Sequence, residues 1–330
     1  MIPTQIAMIV AQQAKMIFGL ALQVLQMLLK LWRSFDGWYD DDRVTAVAAR
    51  SATIVEIAQQ NARKRERSYL RIFYKQINEE FPSEESFRAV IEGGVELEYP
   101  RQGVDALEVY ERVAREYRYQ VSTGLRPAQA MLEVEKRIKA MSETDLALAR
   151  RAEDKFVFEQ SPQVHGYHRV IHPEMSQTGQ SCGLCVVASQ RLYKKSELMP
   201  IHDECNCTVA PAIKGATDLG PLLNEEDLQA LYDAAGSNTA EDLLKTKVSF
   251  TEHGELGPII RSGKGKSDRY ERDENFSPIE SQVNKMRGAL ERLAVRQNKG
   301  EDLAQEIGYL RERIELLERQ RHIIESFRRK

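Results

Sequence analysis

Cysteine and histidine residues are concentrated in one stretch of this sequence, from His172 to Pro211. The stretch contains all four cysteines of the chain: Cys182, Cys185, Cys205 and Cys207. The first pair has the spacing Cys-x-x-Cys, the second has Cys-x-Cys, and His202 lies shortly before the second pair. Two such groups, brought together by the intervening chain, can supply the sulfur and nitrogen ligands of a tetrahedral Zn²⁺. The stretch therefore predicts a local site of metal or thiol chemistry.

A closed structural zinc site is the chemistry that this spacing favours. The candidate metal ligands are Cys182, Cys185, His202, Cys205 and Cys207. These outnumber the positions around a tetrahedral ion, so the fourth ligand is either Cys207 or His202. The Cys-x-Cys spacing is also tighter than the usual second half of such a site. Two alternatives stay open, because the thiols could be buried and reduced, or could form disulfides outside the cytosol. Structural zinc is our hypothesis for the cofactor.

The same stretch contains residues that could carry out nucleophilic catalysis. Cys182 or Cys185 would be the nucleophile, and His172 or His202 would be the base. Spacing alone identifies no third group to orient that base. The sequence also contains no nucleophile elbow, zinc-protease helix or phosphate-binding loop. The sequence therefore favours a non-enzymatic role, and a protease that uses His172, Cys182 and His202 is the alternative.

The composition indicates a protein of several parts with a nearly neutral charge balance. The chain has 330 residues, more than one hydrophobic core usually organises. Its formal net charge is −3, so no excess of charge favours nucleic acid or an anionic membrane. The clustering of every cysteine in one place indicates a local site in a reducing compartment rather than a disulfide framework. We therefore expect no specific contact with nucleic acid.

Residues 2–32 predict a long helix that is apolar over most of its circumference. At about 100° per residue six of its polar residues fall on one narrow stripe: Gln5, Gln12, Lys15, Gln23, Gln26 and Lys30. Such a pattern is typical of a helix buried against other helices or a partner chain, with a membrane-seeking helix as the alternative. Repeated Gln and Lys side chains are costly in lipid, so we expect no stable membrane span. The late first basic residue argues against a signal peptide.

Helical periodicity continues from 43 to 160 and predicts a helical bundle-like domain. Within it, the segment from Arg63 to Arg67 predicts a solvated helix face, because Glu66 interrupts its positive charge. Ser142 predicts the N-terminal cap of a further helix. The segments 167–171 and 207–211 are rich in residues that favour strands, and they flank the Cys/His stretch. Residues 161–260 therefore predict a small α+β module.

The C-terminal part combines a polar linker with a strict heptad pattern. Residues 261–278 are charged and contain glycine, which is typical of a linker. Apolar residues then recur at alternating spacings of four and three in two runs, first at Ile279, Val283, Met286, Leu290 and Leu293, and then at Leu303, Ile307, Leu310, Ile314, Leu317 and Ile324. Arg321 stands at a core position of the second run and departs from the rule. The interruption at 298–300 predicts two coiled-coil stretches that form either a helical hairpin or a broken rod.

Together these patterns predict a mainly α fold with a small α+β Cys/His module. The helical bundle-like domain is preceded by an apolar N-terminal helix and followed by a C-terminal coiled coil. The predicted boundaries are 1–42 for the N-terminal helix and turn, 43–160 for the helical domain, 161–260 for the Cys/His module, 261–278 for the linker and 279–330 for the coiled-coil tail.

The Cys/His stretch resembles the signature of phage Mu F-like proteins, which reads roughly C-x-x-C … P-x-H-x-x-C-x-C. The matching segments are Cys182-Gly-Leu-Cys185, Pro200-Ile-His202 and Cys205-Asn-Cys207. The likeness is closest to tailed-phage proteins of actinobacterial hosts. Those proteins carry His-Pro-Glu, Met-Pro-Ile-His and His-Gly-Glu-Leu-Gly-Pro, which stand here at 172–174, 199–202 and 253–258. The resemblance covers about residues 105–260 and is strongest at 165–211.

The resemblance implies a minor capsid protein that acts in head (procapsid) morphogenesis. Such a protein is encoded beside the portal, is incorporated in few copies, and works in head assembly, DNA packaging or DNA delivery. The expected partners are the portal protein, the scaffold or major capsid protein, and a second copy of this chain through 279–330. The expected location is the head interior of the virion, and the host cytoplasm during assembly. Similar proteins are sometimes labelled capsid maturation proteases, which is the alternative function.

Overall fold

Helices make up most of the chain in the computed structural model. The structure describes residues 4–83, 105–173, 180–195, 207–213, 225–253, 257–261 and 278–328. The helices are α1 (Thr4–Arg33), α2 (Asp41–Gln76), α3 (Ala106–Ser122), α4 (Pro127–Glu159), α5 (Gly183–Ser189), α6 (Glu225–Ala235), α7 (Ala240–Lys245), α8 (Pro278–Gln297) and α9 (Ala304–Arg328). The strands are β1 (Val164–Val170), β2 (Gln180–Cys182), β3 (Leu192–Tyr193), β4 (Thr208–Ile213), β5 (Lys247–His253) and β6 (Gly257–Arg261). The predicted linker, apart from its two ends, lies outside the described residues.

The described strands form two small antiparallel sheets, with the orders β3-β1-β4 and β2-β5-β6. Both segments predicted as strands are confirmed, since β1 and β4 pair with Val170 opposite Thr208. Strand β3 approaches β1 closely at Gly166. A Cβ added to that glycine would lie 2.5 Å from the carbonyl oxygen of Tyr193. Only a glycine therefore allows β3 to pair at this point of β1.

The predicted apolar N-terminal helix is present as α1. Its residues Val24, Leu28 and Trp32 are fully buried, whereas the predicted polar positions Gln12 and Lys15 face solvent. Several apolar side chains are exposed beside this polar stripe: Met8, Met16, Phe18, Leu22 and Met27. By length and composition alone, Met8–Arg33 could cross a membrane, but core helices of other proteins pass the same test. The buried side of α1 shows that much of its apolar surface packs within this chain.

The chain divides into two compact units that interleave along the sequence. Unit 1 comprises the described residues within 1–19, 63–82 and 147–271. Unit 2 comprises those within 20–62, 83–146 and 272–330. Each unit combines stretches that are distant in sequence, so neither coincides with one of the predicted segments.

Aromatic side chains form a cluster in unit 2 where α1 ends and the chain turns into α2. The ring of Trp38 stacks on Tyr117 of α3, with 4.1 Å between ring centroids, and on Trp32. The indole N–H of Trp32 donates a hydrogen bond to the Ser51 hydroxyl at 3.0 Å. Large rings with a satisfied polar group are favourable core residues. Both tryptophans of the chain lie in this cluster, so their fluorescence reports on unit 2.

The predicted coiled-coil tail folds as a helical hairpin whose two helices pack against each other. Its periodic apolar side chains are buried in unit 2, notably those of Val283, Met286, Leu293, Leu303, Ile307, Leu310 and Leu317. Polar residues of α2 contact the same hairpin. Arg313 is fully buried and pairs with Glu56, and Arg43 donates to Glu306 at 2.8 Å. A separate coiled coil is therefore not what the described residues show, because α2 covers part of the hairpin.

One predicted helix start is wrong, because α4 runs without interruption past Ser142. The Ser142 hydroxyl donates to the carbonyl oxygen of Lys139 at 3.1 Å, inside the helix. A serine side chain can make this local bond as readily as it makes a cap. A side-chain cap is present at α7, where the Thr239 hydroxyl accepts the N–H of Asp242. Helix α6 ends before Gly236, whose φ of +80° suits a glycine after a helix end.

The buried N-terminal cap of α3 generates a pH-dependent prediction. The Asp105 carboxylate accepts the N–H of Glu108 at 2.7 Å, and burial raises its pKa to about 6. In an unfolded chain the aspartate pKa is about 3.9. The stabilising contribution of Asp105 is therefore fully present below about pH 4 and is lost as the pH rises through about 6.

We expect Asp105→Asn to match the wild type in stability near pH 4 and to exceed it at pH 8 by about 2 kcal/mol, because asparagine caps helices equally well without ionising. Urea unfolding followed by tryptophan fluorescence measures this difference in unit 2. Asp302→Asn is the matched control, since Asp302 is an exposed carboxylate of the same unit. Equal pH dependence of the two variants would show that Asp105 does not carry the effect.

Candidate functional site

Cys182 ends strand β2 and caps the short helix α5. Its backbone is extended, with φ −73° and ψ 148°, and its Sγ accepts the N–H of Cys185 at 3.3 Å. Glycine suits position 183, because an added Cβ would lie 3.0 Å from the carbonyl oxygen of Leu243 and would push that backbone by a few tenths of an ångström. The Cys-x-x-Cys spacing thus places a strand end, a cap and the first helical turn in direct succession.

Three of the predicted cysteines come together in one buried cluster. Cys182, Cys185 and Cys207 share it, and Ile171 and Leu184 pack against them. None of these three cysteines forms a disulfide. The fold therefore unites the first cysteine pair with one member of the second. His202 and Cys205 lie outside the described residues, so the full predicted ligand set is not seen.

The donor chemistry of this cluster suits zinc, although the described residues do not form a metal site by themselves. Sulfur donors within one buried cluster and an N–H bond to one of them are features of structural zinc sites. Within the described part of the chain, no group of three or more His, Cys, Asp or Glu side chains is placed to hold a metal ion. Zinc binding therefore stays a prediction, and it depends on His202 and Cys205.

His172 follows β1 and is tied to the start of β4. Its Nε2 atom lies 2.8 Å from the hydroxyl of Thr208, and both residues are buried. Thr208 directly follows Cys207 in the chain, so the histidine is linked to the same end of β4 as the thiol cluster. Of the predicted catalytic set, His172 and Cys182 are described and His202 is not. The visible role of His172 is to join the end of β1 to β4.

Two arginines of α4 hold the backbone at Cys207, and the sequence patterns did not predict them. The carbonyl oxygen of Cys207 accepts hydrogen bonds from Arg150 at 2.9 Å and from Arg151 at 3.2 Å. Both arginines are buried, so their positive charges need compensation inside unit 1. Neighbouring positions on a helix lie about 100° apart and often both face water, so no local pattern marked this pair as buried.

Buried carboxyl groups lie next to these arginines. Glu66 of α2 accepts bonds from the Gln13 side-chain amide at 2.7 and 2.6 Å, and its Oε2 lies 3.8 Å from Arg150 Nε. Burial is the main reason that the pKa of Asp154 is raised well above its usual range, and the negative charge of Glu66 adds to it. The predicted solvated face at Arg63–Arg67 is thus wrong at Glu66, which is fully buried.

Comparisons with known proteins add no family to these observations. No protein-family model, no curated protein and no solved structure matches this chain.

The thiol cluster generates a prediction about metal content. We expect protein purified without chelator to carry about one zinc ion per chain, bound by the predicted cysteines. Cys182→Ser should lower the zinc content severalfold, because a hydroxyl is a poor zinc ligand. Elemental analysis and a thiol count on the folded protein measure both quantities. His165→Ala is the control, since His165 is exposed on β1. Metal-free wild-type protein with fully reactive thiols would contradict the zinc hypothesis.

Proposed function

We propose that this chain is a minor capsid protein of a tailed phage that acts in head (procapsid) morphogenesis, with a part in DNA packaging or delivery. The observation that carries the proposal is the spaced signature between His172 and Pro211. The signature combines cysteines, histidines and their neighbours at several fixed spacings. Its Cys-Gly-Leu-Cys and Met-Pro-Ile-His parts match together with the later segment 253–258.

The described parts of the signature support this proposal by lying in one folded unit. Cys182 ends β2, which pairs with β5, and β5 ends at His253 of the late motif. Cys207 precedes β4, which pairs with β1 just before His172. Motif residues that are distant in sequence are therefore joined through two sheets of unit 1. Such an arrangement fits a module whose cysteines stabilise the fold, with zinc as the proposed structural ion.

The proposed partners are the portal protein and the scaffold or major capsid protein, inside the phage head and earlier in the host cytoplasm. The exposed apolar side chains of α1 are the surface we assign to these contacts, because several apolar groups exposed on one helix can form a protein interaction patch. In unit 2 these are Leu22 at 41% and Met27 at 48% exposure. Self-association through 279–330 stays a prediction, and it would have to use residues other than the buried apolar positions of the hairpin.

Surface substitutions test this proposal better than deletions, since removing α1 or the hairpin would remove core residues of unit 2. We expect purified chain to bind at least one of the portal, scaffold and major capsid proteins. The double variant Leu22→Ser, Met27→Ser should weaken that binding at least about tenfold, which corresponds to about 1.4 kcal/mol. Surface plasmon resonance measures the dissociation constants.

The matched control changes Ile57 and Val295 to serine, because these residues are similarly exposed in the same unit. Circular dichroism confirms that both double variants are folded. If the wild type binds none of the three head proteins, the proposed function is contradicted. Equal weakening by both double variants would show only that α1 is not the docking surface.

The alternative function, a capsid maturation protease, is tested with the same purified proteins. The buried histidine His172 beside Thr208 and the nearby thiols are the observation in its favour. Mass spectrometry after incubation would detect new fragments of the scaffold or capsid protein. A protease predicts fragments that disappear in His172→Ala and Cys182→Ala but persist in His165→Ala. Our proposal predicts that no fragment forms in any of these samples.

A further inference from the structure

The part of α2 that belongs to unit 1 carries a stripe of positive charge on its exposed side. Helical spacing places four exposed cations on that side: Lys64, Arg65, Arg71 and Lys75. Glu66 interrupts these charges in the sequence but not at the surface, because its side chain is fully buried. Within the described residues 63–78 no acidic side chain is exposed, and the next acids, Glu79 and Glu80, follow the end of the helix.

The acidic side chains nearest to this stripe point into unit 1. Glu66 accepts hydrogen bonds from the Gln13 side-chain amide at 2.7 and 2.6 Å. Glu153 of α4 is 2% exposed and accepts a hydrogen bond from Arg67 at 2.5 Å. Negative charge is thus held against buried partners, whereas the four cations of the stripe face water. A surface with this separation of charge attracts anions.

Helix α1 adjoins the stripe and adds apolar side chains to the same surface. Arg65 Nη1 donates to the carbonyl oxygen of Met16 at 3.0 Å, so the exposed side of α2 meets α1 at this point. Helix α1 contains no acidic residue, and Lys15 adds one more exposed cation. Four apolar side chains are exposed on these two helices within unit 1: Met8, Met16, Phe18 and Ile72. We call these residues and the five cations the basic apolar face.

The combination of cations and apolar groups favours one kind of anionic partner over another. The backbone of duplex nucleic acid presents phosphates, which attract Lys and Arg side chains but offer no contact for exposed Met, Phe or Ile side chains. An anionic bilayer presents phosphates above hydrocarbon, so it accepts both kinds of side chain. Long basic side chains can reach the headgroups while their apolar neighbours enter the interface.

We propose that the basic apolar face binds the surface of an anionic lipid bilayer. Its cations contact the headgroup phosphates, and Ile72 and Met16 enter the boundary between headgroups and acyl chains. The buried side chains of α1 stay packed within the chain, so this binding involves no membrane span. The proposal does not rest on the proposed function, whose docking test concerns Leu22 and Met27 of unit 2.

Binding of the full chain to lipid vesicles tests this proposal. We expect binding to vesicles of equal parts phosphatidylcholine and phosphatidylglycerol to be at least about tenfold tighter than binding to phosphatidylcholine alone, because each basic residue near an anionic surface strengthens binding about fivefold. High salt should release the protein, since it screens these charges. Vesicle sedimentation measures both effects. No binding of the wild type to the anionic vesicles would overturn the proposal.

Substitution of two exposed lysines locates the binding surface. The double variant Lys64→Gln, Lys75→Gln should bind the anionic vesicles at least about tenfold more weakly. The matched control is Lys136→Gln, Lys299→Gln, which removes the same charge from exposed positions of unit 2 and should bind as the wild type does. Circular dichroism checks that both variants are folded. Equal weakening by the two variants would show that total charge and not this face controls binding, and would refute the proposal.

The apolar side chains separate a bilayer from nucleic acid. The double variant Met16→Ser, Ile72→Ser keeps every cation, so we expect it to lose vesicle affinity severalfold without a change in its affinity for a labelled DNA duplex. Fluorescence anisotropy in the same buffer measures duplex binding. A wild type that binds the duplex, together with vesicle binding that this variant leaves unchanged, would assign the face to a phosphate backbone and overturn the proposal.

Discussion

A buried charge must find an opposite charge or take up a proton, and this constraint organises unit 1. Glu66, Asp154, Arg150 and Arg151 are all removed from water, where isolated ions would cost several kcal/mol each. Glu66 contacts Gln13 and Arg150, and so links the segments 1–19, 63–82 and 147–271 of this unit. Apolar packing alone is not directional, whereas a carboxyl group between a glutamine and a guanidinium fixes which helix faces which.

The same constraint explains why the C-terminal hairpin belongs to the core of unit 2. Position 313 lies outside the predicted heptad stripe, and in a two-stranded coil its side chain would reach solvent. Arg313 is instead fully buried on Glu56 of α2. Removing one partner of such a pair costs about 3–5 kcal/mol, because the other charge is left uncompensated. The hairpin is therefore stabilised by its contact with α2 as well as by its own buried apolar residues.

Local patterns predicted the elements well and their partners poorly. Periodicity anticipated α1, α2 and the hairpin helices, because the signal acts between residues a few positions apart. Ser142 was wrongly predicted as a helix cap, because a serine hydroxyl can also donate to a backbone carbonyl oxygen inside a helix. Glu66 was assigned to a solvated face because its partners, Gln13 and Arg150, are far away in sequence. Heptad spacing likewise shows that a stripe is buried without showing which helix covers it.

The thiol site illustrates the same limit at the level of function. Spacing between His172 and Pro211 correctly grouped Cys182, Cys185 and Cys207, since a strand, a cap and a turn bring nearby residues together. The side chains that hold Cys207 in place come from Arg150 and Arg151, more than fifty positions earlier, and they bind its carbonyl oxygen rather than its sulfur. Every residue has a backbone carbonyl oxygen, so a sequence motif cannot show that this one accepts the two hydrogen bonds. The Cys/His signature therefore indicates which thiols meet, while the helical part of unit 1 supplies the contacts that hold the Cys207 backbone.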